Sequence, residues 1–180
     1  MRHLCIYCGS RSGNDTCFQR AAEAMAVAML RLDVGLIYGG AKIGLMGVVA
    51  DAVLAGGGEV IGVIPESLRQ DEVAHQGLTS LEVVPSMHQR KARMIELADA
   101  MVALPGGLGT LEEMFEALSW AQLRLHSKAC GLLNVQGYFD SLVSFLDNAV
   151  EHGFMTSEHR DLAVVDEDPD RLLSALLRLP

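Results

Sequence analysis

Ala100-Met101-Val102-Ala103-Leu104-Pro105-Gly106-Gly107-Leu108-Gly109-Thr110-Leu111-Glu112-Glu113 passes from an apolar run, through three glycines, into a segment with helical spacing. An unbroken apolar run of this length reads as a strand covered on both faces. Glycine lets a backbone approach a ligand closely and turn in ways other residues resist. The first amides of the following helix lack intrahelical partners, and the helix dipole is positive there. Strand, glycine turn and helix start together form a site for an anion such as phosphate. The Thr110 hydroxyl adds a donor, and the neighbouring Leu108, Gly109, Leu111 and Glu112 belong to the same candidate site.

The same alternation extends in both directions. Strand-like runs are predicted at His3–Cys8, Gly35–Tyr38, Glu59–Ile64, Leu81–Val84, Ala100–Leu104 and Gly131–Asn134, with a shorter one at Ala163–Val165. Helical patterns fill the gaps at Asp15–Leu32, Gly44–Ala55, Ser86–Ala98, Thr110–Leu125 and Tyr138–His152. Asp168-Pro169 starts a last helix with an N-cap and a proline at the first helical position. Repetition of this kind implies right-handed crossovers and an α/β fold, a doubly wound and mainly parallel sheet flanked by helices. No linker or repeat interrupts it, so residues 1–180 read as a single domain.

Ligands of open α/β sheets bind at the carboxyl ends of the strands. Four loops are expected there: Cys8-Gly9-Ser10, Gly39-Gly40-Ala41-Lys42-Ile43-Gly44, Pro85-Ser86-Met87 and Pro105–Thr110. Gly9, Ser10, Gly39, Gly40 and Met87 therefore join the candidate binding residues. The second loop nearly fits G-x-G-x-x-G, but Ala41 replaces the middle glycine, and Glu59, the acidic residue about 20 positions on, comes before the next strand-like core and not at its end, which disfavours a nicotinamide site. No G-x-x-x-x-G-K-[ST] and no G-x-S-x-G occur.

Two features carry charge toward that edge. In Met87-His88-Gln89-Arg90-Lys91, Arg90 lies one turn into a helix opened by the capping pattern Ser86…Gln89. A guanidinium there suits a phosphate or a ribose oxygen. Glu113 has two readings. Thr110-Leu111-Glu112-Glu113 is itself a capping box, with Thr110 as N-cap and Glu113 at the third helical position. Alternatively Glu113 faces a bound sugar, where a carboxylate stabilises an oxocarbenium-like transition state or activates water. Spacing leaves both open. Glu66 and Glu72, in the loop after Pro65, read most simply as exposed loop acids.

Composition excludes several classes. The net charge of −9 and only three lysines argue against a nucleic-acid partner, whose affinity comes largely from neutralised phosphates. No apolar run is long enough to span a bilayer, and no signal-peptide pattern opens the chain, so no membrane partner and a cytoplasmic protein are expected. Cys5 and Cys8 match C-x-x-C but fall on a strand, where residues three apart face opposite ways, so buried free thiols are expected. No histidine lies in a metal-ligand pattern, and no metal is expected.

The run P-G-G-x-G-T-x-x-E at Pro105–Glu113 and M-x-x-R-K at Met87–Lys91 together resemble the LONELY GUY (LOG) family of cytokinin riboside 5′-monophosphate phosphoribohydrolases. Cys8-Gly9-Ser10, Tyr38-Gly39-Gly40 with Gly44-Leu45-Met46-Gly47, Gly62-Val63-Ile64-Pro65 and Gly131-Leu132-Leu133-Asn134 extend the likeness over nearly the whole chain. The resemblance implies a Rossmann-like fold, a homodimer and hydrolysis of the N-glycosidic bond of AMP or an N6-prenylated AMP, releasing free base and ribose 5-phosphate without a cofactor; the alternative is a non-catalytic protein of the same fold that binds a nucleotide or a phosphorylated cofactor through the same glycine loops. It implies that Arg90 and Glu113 are catalytic, that Gly106, Gly107, Gly109 and Thr110 bind phosphate, and that Glu72, Lys91 and Glu112 contact substrate. Ala41, where many members have a third glycine, is a departure. Some members carry the label lysine decarboxylase; that chemistry needs pyridoxal phosphate on a lysine, and none of Lys42, Lys91 and Lys128 lies in such a setting.

Overall fold

The computed structural model describes residues 2–69 and 74–178. Seven parallel strands form one sheet: β1 (His3–Tyr7), β2 (Gly35–Tyr38), β3 (Val60–Pro65), β4 (Ser80–Val84), β5 (Ala100–Ala103), β6 (Ala129–Leu133) and β7 (Ala163–Asp166). Their spatial order is β4-β3-β2-β1-β5-β6-β7. Leu4 pairs with Leu36 on one side and with Ala100 on the other, so β1 is central. The inner strands are buried along their length because helices cover both faces, which is why they read as unbroken apolar runs.

The helices are α1 (Thr16–Arg31), α2 (Gly44–Ala55), α3 (Glu66–Arg69), α4 (Met87–Leu97), α5 (Leu108–Gln122), α6 (Asp140–Glu151), α7 (Ser157–Arg160) and α8 (Pro169–Leu176). The α1 helix starts where the Asp15 carboxylate accepts the Cys17 amide at 2.8 Å, and α8 where Asp168 accepts the Arg171 amide at 2.9 Å. Alternate residues of β1 feed two cores. Leu4, Ile6 and Cys8 pack with Met25, Met29, Val49 and Leu172 of α1, α2 and α8. Cys5 and Tyr7 pack with Met94, Met114 and Ala117 of α4 and α5 on the other face. Cys5 and Cys8 thus face opposite ways, and all four cysteines are buried free thiols. Burial pushes the Cys130 thiol up to about 12, so it stays protonated and packs as a small apolar group.

Sequence periodicity misses the one-turn helices α3 and α7, too short to show a repeat, and places the start of α5 two residues late. Among the described residues, no helix is long and apolar enough to cross a membrane.

The strand order places the site. The chain runs outward from β1 to β4 on one side, then returns to add β5 on the other. The loops after β1 and β5 therefore diverge toward α1 and α5 on opposite faces, opening a crevice at their carboxyl ends.

Candidate active site

The glycine loop after β5 ends in Gly107, the N-cap of α5, in extended backbone with φ −96° and ψ −151°. The first intrahelical bond runs from the Leu111 amide to the Gly107 carbonyl at 3.1 Å. The amides of Leu108, Gly109 and Thr110 therefore precede any intrahelical partner, at the positive end of a 15-residue helix. This start corrects the capping-box reading. Thr110 is the third residue of the helix, not its cap, and Glu113 lies one turn further in, where it has no cap to make.

Residues of this run divide by direction. Leu108 is 87 % exposed, and a Cβ built on Gly107 or Gly109 would meet nothing within 4 Å, so these three form the open rim. Gly106 and Thr110 set the turn from inside: Thr110 is buried, and a Cβ on Gly106 would lie 2.1 Å from its Oγ1. Leu111 packs into the core shared by α4 and α5, which corrects its expected place on the ligand side. The Gly9 amide donates to the Pro105 carbonyl at 3.1 Å, tying the loop after β1 to the glycine loop, and the Gly9 carbonyl accepts from the Leu45 amide at the start of α2 at 3.0 Å. Between them lies a cavity of about 570 Å³ with Ser10, Arg11, Phe18, Leu45, Gly107 and Tyr138 among its walls.

Arg90 and Glu113, 23 positions apart in sequence, meet between α4 and α5, outside the residues that line the cavity. Arg90 Nη1 lies 3.3 Å from Glu113 Oε1, with both side chains about nine-tenths buried. Arg90 Nε donates to the Val63 carbonyl within β3 at 3.1 Å, and Met87 Sδ lies 3.8 Å from Nη1. A Cβ on Gly39 would lie 1.9 Å from Arg90 Nη2, so the glycine at the end of β2 makes room for the guanidinium. Gly40 has φ +75°, and its carbonyl accepts the His75 amide at 2.9 Å. These two glycines thus make room for Arg90 and form a turn.

Burial raises the Glu113 carboxyl above the ordinary glutamate range, while the Arg90 guanidinium opposes that shift. The negative charge of Glu113 also adds to the burial that raises the Cys8 thiol, just beyond β1. An ionised Glu113 depends on Arg90, since a buried carboxylate without a counter-charge takes up a proton.

Lys91 and Glu112 meet each other. Lys91 forms ion pairs with Glu112 and with Glu116, the latter at 3.2 Å, joining α4 to α5 one residue beyond the Arg90–Glu113 pair. Burial pulls the Lys91 ammonium down, but hydrogen bonds to both carboxylates more than offset it and leave it raised. Ser10 is exposed at the cavity and Met87 at the start of α4. Glu72 lies outside the described residues, and Glu66 opens α3.

Sequence reasoning missed Arg11, Phe18, Tyr138 and Glu116. The rule used for four loops also applies to the segment after β6, and would have brought Tyr138 to this edge.

A family model described as "Possible lysine decarboxylase" matches residues 46–176. The chain is 45 % identical over 175 residues to a cytokinin riboside 5′-monophosphate phosphoribohydrolase of Arabidopsis thaliana, covering 97 % of this chain and 82 % of that one. It is 47 % identical over 176 residues to a protein of the same name from Rhodococcoides fascians, covering 97 % and 89 %. Among solved structures, the molybdenum cofactor carrier protein of Chlamydomonas reinhardtii superposes with a TM-score of 0.74 at 20 % identity, over 99 % and 97 % of the two chains. That likeness concerns the fold alone. The description of the family model implies pyridoxal phosphate on a lysine, and the lysines do not fit it. Lys91 is held charged by two carboxylates, Lys128 donates to the carbonyls at the end of α4 from the amino end of β6, and Lys42 is exposed.

Proposed function

We propose, for a chain that belongs to the LOG family of cytokinin riboside 5′-monophosphate phosphoribohydrolases, that it hydrolyses the N-glycosidic bond of adenosine 5′-monophosphate or an N6-modified form of it. Water adds its hydroxyl to C1′ of the ribose, the base leaves with the remaining proton, and the products are free base and ribose 5-phosphate.

The observation that carries this reading is the buried Arg90–Glu113 pair beside the free amides of α5. The amides of Leu108, Gly109 and Thr110 take the 5′-phosphate. Glu113, kept ionised by Arg90, faces the positive charge that develops at C1′ or takes the proton of the attacking water. Arg90 has Nε committed to Val63 and Nη1 to Glu113, and its remaining hydrogens serve the ribose or the base. Lys91 and Glu112 hold α4 and α5 in register.

A homodimer and a cytoplasmic location belong to the same proposal. Side chains such as Phe154 (90 % exposed) and Phe145 (64 %) offer apolar area for a second copy, and the four buried free thiols suit a reducing compartment. Light scattering of the purified protein tests the first.

The activity test is incubation with AMP and with N6-isopentenyl AMP, followed by chromatography of the free base. Base release from either supports the reading, and the ratio of the two rates gives the base preference. Binding of both without release overturns it.

A further inference from the structure

Tyr138 touches the glycine loop from outside every motif considered above. Asn134 follows β6 and is buried; its Oδ1 accepts the Phe139 amide at 2.7 Å and its Nδ2 donates to Asp140 Oδ1 at 2.7 Å. Across that brace the chain passes through two left-handed residues, Gln136 (φ 49°) and Gly137 (φ 71°). A non-glycine residue in that region carries strain, so the turn is held by its surroundings. Its product is the placement of Tyr138. The ring stands edge-on to Phe18 of α1 with centroids 5.7 Å apart, and to Phe139 at 5.0 Å. The hydroxyl donates to the Gly106 carbonyl at 2.6 Å.

That acceptor matters because a peptide unit is planar. The Gly106 carbonyl and the Gly107 amide are opposite ends of one rigid plane. A plane between two glycines has the least resistance to flipping, since neither neighbour carries a Cβ. The preceding carbonyl, of Pro105, is already fastened by the Gly9 amide. Fastening the Gly106 carbonyl fixes the direction of the Gly107 N–H and keeps a carbonyl dipole from swinging toward a bound anion.

We infer that Tyr138 is a positioning residue for the anion site: its hydroxyl locks the Gly106–Gly107 peptide plane in the orientation that binds the substrate phosphate. The inference rests on the phosphate reading given under Proposed function. It assigns to Tyr138 an effect on binding of the phosphate, and no part in cleaving the glycosidic bond.

Tyr138→Phe tests it, because the ring keeps its contacts with Phe18 and Phe139 while the hydroxyl is lost. Calorimetric binding of ribose 5-phosphate is compared between wild type and variant, alongside KM and kcat on AMP and binding of adenosine, which has no phosphate. Weakening of ribose 5-phosphate binding and a rise in KM by about five- to tenfold are expected, the usual scale for one lost hydrogen bond. The kcat is expected to stay within about twofold and adenosine binding to be unchanged, since neither depends on the phosphate. Equal ribose 5-phosphate affinity in variant and wild type overturns the inference alone. So does an equal loss for adenosine, which marks Tyr138 as a general wall of the cavity. A wild-type protein that binds none of these ligands overturns both the inference and the functional reading.

Discussion

Gly39→Ala puts the central pair to a strict test, because the residue touches Arg90 and need not touch substrate. The new Cβ would lie 1.9 Å from Arg90 Nη2. Ordinary heavy-atom contact is roughly 3.5 Å, so the guanidinium must retreat by about 1.6 Å. The atom that moves is the far end of a flexible side chain, so the fold survives. The Glu113 contact at 3.3 Å and the Val63 hydrogen bond at 3.1 Å are both made by the guanidinium group that moves, so both are disturbed. Displacement of a catalytic group by about 1 Å costs on the order of 100-fold in rate, or about 2.7 kcal/mol of transition-state stabilisation. The expected result is a drop of about 100-fold in kcat/KM on AMP, with a melting temperature close to wild type. The double variant Gly39→Ala/Arg90→Ala is expected to be no slower than Arg90→Ala, because the two changes act through one group. A Gly39→Ala enzyme within threefold of wild type refutes the reasoning. A double variant much slower than Arg90→Ala shows that Gly39 acts elsewhere.

Three further outcomes follow from the same geometry. Glu113→Gln is expected to lower turnover by about 10²- to 10⁴-fold, while AMP affinity by calorimetry stays within a few-fold and helicity by circular dichroism is kept, since Glu113 caps nothing. The pH dependence of kcat/KM is expected to show an acidic limb above the ordinary glutamate range, because burial raises Glu113 and the carboxylate is the working form; rate is lost as pH falls through that limb. Arg90→Gln removes the opposing charge and is expected to move the limb to higher pH, whereas an unmoved limb assigns it to another group. Lys91→Met severs the links to Glu112 and Glu116 and leaves the largely buried Glu116 carboxylate without its partner. A loss of about 2 kcal/mol in urea unfolding is expected, between surface and fully buried pairs, and a stability equal to wild type would falsify the clamp.

Much of the fold was legible because its determinants are local. Unbroken apolar runs such as Ala100–Ala103 and Leu4–Tyr7 require cover on both faces, which dictates a parallel sheet with crossover helices. Asp15 and Asp168 announce helix starts through side chains that reach their own backbone two or three residues on. The Pro105–Thr110 run announced a glycine turn into a helix for the same reason, since the free amides at a helix start need no distant partner.

The sequence alone therefore settled the layer architecture, the glycine turn and the residue types available to it. Tertiary structure decided which of those residues work together. Gly107, not Thr110, became the cap of α5, in a loop held by hydrogen bonds from Gly9 and Tyr138, roughly 100 positions before and 30 after it. Arg90 found Glu113 because β5 enters the sheet beside β1 and carries α5 back against α4. Lys91 and Glu112, expected at the substrate, found each other across the same helix pair. Spacing along the chain encodes what a residue offers its neighbours within a turn or two. Which distant group accepts the offer depends on strand order and on which face each helix covers, and that is fixed only when both cores pack.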